Sequence, residues 1–337
     1  MIRRHRSRER DPGARGLAFG RAHREAVATT LAVYERMLGL EPAALLSAGA
    51  AVGESLAARR PGLVRELEGI AEGAGAPPEL VLAINARTEL LAAAPVAAEC
   101  SVIALAEPRG GHVLAQNWDW HPAMRNAMIL WRIEQPGGRW FVTLTEAGML
   151  AKLGLSSAGL ACGLNFLRCS RDGGLDGIPI HALLRMVLEE CASVSDAVAL
   201  LRSVRVCASA AISLADADDL VTVELSPGGA EVLRAPVHTN HFLAPLPAGV
   251  DLERAEAPGT LLRFKLLETA LAGGAREPEA LLRSHANRPD AVCRHDDGRG
   301  PWAQRRATLA SLVMRPRERS LRVAWGAPCG AAYEEVA

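Results

Sequence analysis

The hydrophobic period of the chain changes at Cys100, and that change decides most of what it can fold into. Ahead of it, residues 17–38 carry apolar side chains at helical spacing and stop at Gly39. Residues 61–73 (PGLVRELEGIAEG) give a second helix between proline and glycine, and residues 77–93 a third that begins at prolines. From Cys100 the period is two: SVIALA, a Pro-Arg-Gly-Gly turn and HVLAQNWDW read as a hairpin. MILWRIE, RWFVTLTE, a pair around residues 156–159, AISLAD, LVTVEL and AEVLRA continue as strands, and TLASLVM and SLRVAW close the chain. Residues 179–205 and 259–284 return to helix, the first split near Ser193–Asp196 with Ser195 as a cap. Runs of strands with grouped helices predict an α+β fold rather than strict βαβ alternation.

Composition narrows the function classes. The 337 residues hold 38 basic and 38 acidic groups, 49% apolar and 23% charged residues, so whole-chain disorder and general nucleic-acid binding are excluded. Only Lys152 and Lys265 are lysines, which leaves little room for Schiff-base chemistry. The basic opening, MIRRHRSRERDPGARG, is followed by no apolar signal core and reads as a solvated, frayed tail. No run of about 18 apolar residues offers a membrane span, and the expected setting is the cytoplasm. Seven irregularly spaced cysteines without a CxxC pair argue against zinc-ribbon and thioredoxin-like readings and are expected to stay thiols.

Cys100 stands where the helical front meets the β-rich remainder. A turn centred on Arg109-Gly110 sets it opposite Asp119, and a slip of two sets it opposite His121. A carboxylate between Trp118 and Trp120 needs a hydrogen-bonding role if buried. The two tryptophans are read as alternating faces of the strand, one in the core and the other bordering a pocket.

Several segments follow one another in an order that carries a resemblance. They are Glu68–Gly75 (EGIAEGAG), Asn85–Leu90 (NARTEL), Cys100-Ser101, Gln116–Trp120 (QNWDW), Thr145–Gly148 (TEAG), Gly163-Leu164-Asn165 and His238–Phe242 (HTNHF). Together they resemble the acyl-coenzyme A:6-aminopenicillanate acyltransferase family, the C45 group of self-processing peptidases, from about residue 16 to 328. The resemblance implies an N-terminal-nucleophile hydrolase fold, a four-layer αββα sandwich, made as a precursor that cuts itself before its cysteine. The scissile bond is then Glu99–Cys100, and a helical part (1–99) stays associated with a β-rich part (100–337) in one integrated domain.

The same resemblance implies the roles. Cys100 is the nucleophile, and its freed α-amine, with a pKa of about 7.7–8.0, is the base. Asp119 binds and orients that amine, Asn240 helps form the oxyanion hole, and Arg306 rather than Arg305 is the site arginine. Trp118 and Asn165 line the substrate pocket. The expected activity is amide hydrolysis or acyl transfer through a thioester, on a small N-acyl amide, peptide-like or acyl-CoA substrate. No cofactor or metal is expected, and neither nucleic acid nor membrane is an expected partner. His238 and His241 lie three apart in an extended segment and point to opposite faces, against a metal pair. Cys293-Arg294-His295-Asp296 is read as a structural loop. The alternative is a non-catalytic, unprocessed relative that binds or scaffolds; a metal-dependent hydrolase is a third reading. The sequence departs from the family pattern at Glu99, where a small residue is usual, at Ser101 and Ser156, and across Cys207–Ala211.

Overall fold

The computed structural model describes residues 3–92, 99–257 and 259–337. The helices are α1 (Pro12–Ala22), α2 (Arg24–Leu38), α3 (Pro42–Ala57), α4 (Pro61–Ala74), α5 (Pro78–Asn85), α6 (Arg87–Leu91), α7 (Ile180–Glu190), α8 (Val194–Ser203), α9 (Leu252–Glu256), α10 (Gly259–Ala272) and α11 (Pro278–Leu282). The strands are β1 (Arg4–Ser7), β2 (Glu99–Ala106), β3 (His112–Trp120), β4 (Met128–Glu134), β5 (Trp140–Glu146), β6 (Leu153–Ser156), β7 (Ala161–Phe166), β8 (Ala210–Ala215), β9 (Leu220–Ser226), β10 (Gly229–Leu233), β11 (Val237–His238), β12 (Ala307–Arg315), β13 (Ser320–Trp325) and β14 (Glu334–Glu335).

The strands form two sheets, an eight-stranded one in the order β1-β4-β5-β6-β7-β8-β9-β10 and a six-stranded one in the order β11-β2-β3-β12-β13-β14. Helices α1, α7 and α8 pack on the larger sheet, with α2–α6 packed against one another and against α1 and α7, and α10 and α11 cover the outside of the smaller one. The layers therefore run helix, sheet, sheet, helix, and the expected α+β, four-layer αββα sandwich is what the chain forms. Both sheets are covered on both faces, which explains strands such as AAISLA that are buried at every position.

Alternation sorts β2 and β3 between the two interfaces. Ile103, Val113 and Ala115 face α10 and α11 and pack with Leu267, Leu271 and Leu282. Cys100, Val102, Ala104, Leu114, Trp118 and Trp120 face the other way, into the main core. Gln116 ties the sheets together there: its Oε1 accepts from Leu164 N at 3.0 Å and its Nε2 donates to Leu164 O at 2.5 Å.

The structure corrects four expectations. The N-terminal arginines are not frayed, because Arg4–Ser7 forms β1 and pairs in parallel with β4. The β2–β3 hairpin is shifted by one residue, with Cys100 opposite Trp118 and Glu99 opposite Asp119. Its loop is Glu107–Gly111, where Gly110 and Gly111 take φ of 84° and 90°. Trp118 and Trp120 share one face, as residues two apart in a strand must, and both are buried. The cap of α8 is Ser193, which forms a reciprocal capping box with Asp196. Residue 93, the end of the expected third helix, lies outside the described residues; the segment before it breaks at Ala86 into α5 and α6.

Candidate active site

Both backbone polar atoms of Cys100 are held by side chains. Its backbone N–H donates to Asn240 Oδ1 at 2.8 Å. Its carbonyl oxygen accepts from Arg263 Nη1 at 2.8 Å and from Asn165 Nδ2 at 3.2 Å. Burial, followed by the negative charge of Asp119, pushes the thiol up to about 11, while Arg263 and Lys152 pull the other way. In the continuous chain Cys100, 7% exposed as a residue, therefore carries a protonated thiol.

Asn240 follows the two-residue strand β11, which adds to the smaller sheet beside β2. Its orientation is fixed by three neighbours: Oδ1 faces two donors, Cys100 N and Arg263 Nη2 (3.1 Å), and Nδ2 donates to Phe166 O at 3.0 Å. The side-chain oxygen, not the amide N–H, is thus what meets Cys100. Asn165 lies in β7 of the larger sheet and reaches across the sandwich to the Cys100 carbonyl, with a longer contact to His238 O at 3.5 Å.

Asp119 points to the opposite side of β3 from the thiol, beneath α10 and α11, and is fully buried. Thr308 Oγ1 donates to its Oδ1 at 2.6 Å, and its Oδ2 has no hydrogen-bond partner among the described residues. Burial pushes the carboxyl up to about 7, against the pull of Thr308 and Arg263. A bulge between Thr308 and Ala310 lets the adjoining strand β12 bring Thr308 opposite Asp119.

Arg306 and Arg305 separate cleanly. Arg305 lies in a partly exposed ion pair with Asp296. Arg306 is buried with its guanidinium 4.8 Å from the Trp120 ring, and burial, then Arg87, lowers it to about 10. Trp118 and Trp120 border a buried cluster of polar and charged side chains on the thiol side of the sheet. Lys152 Nζ stands 4.5 Å from the Trp118 ring and 2.9 Å from Glu146 Oε1, and Tyr34 donates to Glu146 Oε2 at 2.6 Å. Arg87 lies 4.3 Å above Trp120 and donates to His181 Nε2 at 3.0 Å. Burial and then the charge of Arg87 lower Lys152 to about 7, with Glu146 opposing.

Two residues here escaped the sequence reading. Arg263 contacts Cys100 O, Ser101 Oγ (3.0 Å) and Asn240 Oδ1 from a helix, TLLRFKLLETALA, with no strong polar face to advertise it. Its signal was a lone arginine between apolar residues, which burial converts into a costly charge that must be used. Lys152 was noted for its rarity, but nothing in its neighbours forecast full burial.

A sequence profile described as acyl-coenzyme A:6-aminopenicillanic acid acyl-transferase matches residues 106–329, starting at the last residue of β2. The chain is 31% identical over 283 residues to the 40 kDa form of acyl-coenzyme A:6-aminopenicillanic-acid-acyltransferase of Emericella nidulans, covering 80% of this chain and 76% of that one. Among solved structures, penicillin V acylase from Agrobacterium tumefaciens aligns with a TM-score of 0.47 at 18% identity, over 67% of this chain and 83% of its own. An N-acylethanolamine-hydrolyzing acid amidase ortholog from Caenorhabditis elegans aligns at 0.45 and 18%, over 64% and 93%. With about two thirds of its length matched by the profile and a relative 31% identical over 80% of the chain, the chain belongs to the acyl-coenzyme A:6-aminopenicillanic acid acyl-transferase family.

Proposed function

We propose that the protein cuts itself between Glu99 and Cys100 and then transfers or hydrolyses acyl groups through a thioester on Cys100. The observation that carries this reading is the anchoring of Cys100, whose nitrogen meets Asn240 and whose carbonyl meets Arg263 and Asn165. A buried backbone N–H and C=O need partners at any residue, and a neighbouring strand would supply them; here three buried side chains from three other segments do so instead.

In the first step Cys100 Sγ attacks the Glu99 carbonyl carbon. The Glu99–Cys100 C–N bond breaks, the departing nitrogen gains the thiol proton, and a thioester remains. Water then adds to the thioester, releasing the thiol and a Glu99 carboxylate and leaving Cys100 with a free α-amine. Asn240 Oδ1 already accepts from that nitrogen and would continue to orient it. Asp119 lies opposite Glu99 in the ladder, with one carboxylate oxygen unpartnered among the described residues, so removal of Glu99 opens a place for the new ammonium against it. The amine, once neutral, takes the thiol proton as Cys100 attacks the substrate carbonyl, and returns it to the leaving group. Water or an amine then accepts the acyl group from sulfur. The second Nδ2 hydrogen of Asn240, the one not given to Phe166, is the donor that this side chain can offer a developing oxyanion.

The buried cluster of Trp118, Trp120, Lys152 and Arg306 suits an acyl group joined to a polar or anionic portion: apolar ring faces beside a guanidinium and an amine. A small N-acyl amide, a peptide-like amide and an acyl-CoA thioester all have that form. The bond chemistry calls on no cofactor.

Intact-mass measurement of the purified wild type and Cys100→Ala tests the reading. Two fragments divided after residue 99, absent from the variant, are the expected outcome. A single uncut chain in both, with Cys100 unreactive to iodoacetamide, would favour the non-catalytic alternative.

A further inference from the structure

A second cluster of thiols and imidazoles lies outside the site. His285, Cys293, His295 and Cys329 each bring one ligand atom to a common point, all within 4.8 Å of one another. His295 Nε2 is 3.1 Å from His285 Nε2, 3.3 Å from Cys329 Sγ and 3.7 Å from Cys293 Sγ. Zinc bonds of ~2.0–2.1 Å to nitrogen and ~2.3 Å to sulfur put ligand atoms about 3.3–3.8 Å apart along the edges of a tetrahedron. The three separations therefore approach those of tetrahedral ligands around an ion. We propose that these four side chains form a Cys2His2 site for a structural Zn2+ ion.

The chemistry of the set selects the metal. Two thiolates and two imidazoles suit zinc rather than the oxygen-seeking calcium or magnesium. Binding releases two protons, one from each thiol, and the two thiolates neutralise the ion's charge, leaving both imidazoles neutral. All four positions of the tetrahedron are filled by protein, which is the form of a structural site and not of a catalytic one.

The placement gives the ion something to hold. His285, Cys293 and His295 come from the segment after α11, and Cys329 from the turn after β13, so the ion would clip two distant stretches together. Arg283 Nε already donates to Pro328 O at 3.0 Å across that seam, and Cys293 N to Ser284 O at 2.9 Å within it. The clipped segment continues into the active-site support. Asn117 Nδ2 donates to Leu282 O and Val292 O, both at 2.8 Å, and Arg294 N donates at 2.9 Å to the Thr308 hydroxyl that bonds Asp119. A surface cleft of about 400 Å3 has His295 and Thr308 in its wall. The ion would thus brace the loop on which Asp119 rests, independently of whether the chain cuts itself.

The test is metal analysis of the full-length protein purified without chelator. About one zinc per chain is expected, and Co2+ exchanged into the site should give thiolate-to-cobalt charge-transfer absorption with tetrahedral d–d bands. Cys293→Ser/Cys329→Ser should lose the metal, whereas Cys169→Ser should retain it. Stripping zinc should lower the thermal midpoint, and adding it back should restore it. Substoichiometric zinc after equilibration with Zn2+ would overturn the proposal, as would a Cys293–Cys329 disulfide found by mass spectrometry. If the double variant does not fold, the Co2+ spectrum of the wild type decides alone: octahedral bands without thiolate charge transfer would sink the site.

Discussion

A guanidinium and two amides converge on Cys100, with the Asp119 carboxylate on the other face of the neighbouring strand. Asp119 is the informative one to change. Asn is its isostere and can still accept the Thr308 hydroxyl, so Asp119→Asn should keep the fold within a few degrees of melting temperature. It removes the negative charge that would hold the α-ammonium. Turnover on an N-acyl amide should fall about 10²-fold or more. The wild-type rate should rise with pH as the α-amine loses its proton near about 7.7–8.0. Asp119 favours the charged amine and moves that rise upward; in Asp119→Asn the residual rate should rise at lower pH. An unshifted profile would mean that Asp119 does not face the amine. The meeting of Asn165 and Asn240 at Cys100 was legible because each sits in a short motif whose order is distinctive. Arg263 and Lys152 were not, because what makes them notable is burial next to Cys100 or Trp118, which no local pattern encodes. The tryptophans were misread by a simple parity error, and their shared face is what brings both rings to Lys152.

At the level of elements, a tight constraint is the contact of α1 with α4. A Cβ on Gly16 would stand 2.0 Å from Glu66 O, and one on Gly69 would stand 2.3 Å from Gly13 O. Those distances are below any van der Waals contact, so the two backbones meet directly, and the EGIAEGAG motif has a packing reason for its spacing. Gly69→Ala should therefore destabilise by about 1–3 kcal/mol through overpacking. Gly62→Ala in the same helix meets only Pro12 Cγ at 3.6 Å and should be neutral or stabilising by up to about 1 kcal/mol. Urea titrations of the two variants check the pair, and equal effects would show that helix propensity, not contact, dominates. Helix and strand positions were mostly readable because caps, prolines and period-two runs are local signals, as with MILWRIE and Gly39. The hairpin register was not, since a five-residue loop in place of a shorter turn moves every pair by one. Pairing of the arginine-rich start was also hidden, because β1 is stabilised by a parallel neighbour more than a hundred residues away.

For the whole molecule, the question is what would keep residues 1–99 and 100–337 together after a cut. Residues 1–99 hold 13 basic and 12 acidic groups, which leaves 25 and 26 for the rest, so long-range attraction is negligible. The interface is instead built in. β1 is a strand of the large sheet, Trp131 Nε1 donates to Ser7 Oγ at 2.9 Å, and the Phe19 and Trp131 rings lie 4.2 Å apart. Asn85 bonds Gly148 O and Leu150 N at 2.8 and 2.9 Å. Glu66 takes a two-pronged contact from Arg185, 2.9 Å at each oxygen, and is also bound by Arg15. Although burial pushes the Glu66 carboxyl up, these two guanidinium groups hold it below the usual carboxylate range. Salt at about 1 M shortens the reach of exposed charges to about 3 Å and barely touches such a buried network. A cleaved protein should therefore elute from a sizing column as one species at that salt and come apart only in denaturant. Glu66→Gln would strand two buried guanidinium groups and should weaken the assembly by about 3–5 kcal/mol. Separation of the wild-type fragments by salt alone would show that exposed ion pairs, not the shared sheet and core, hold the halves.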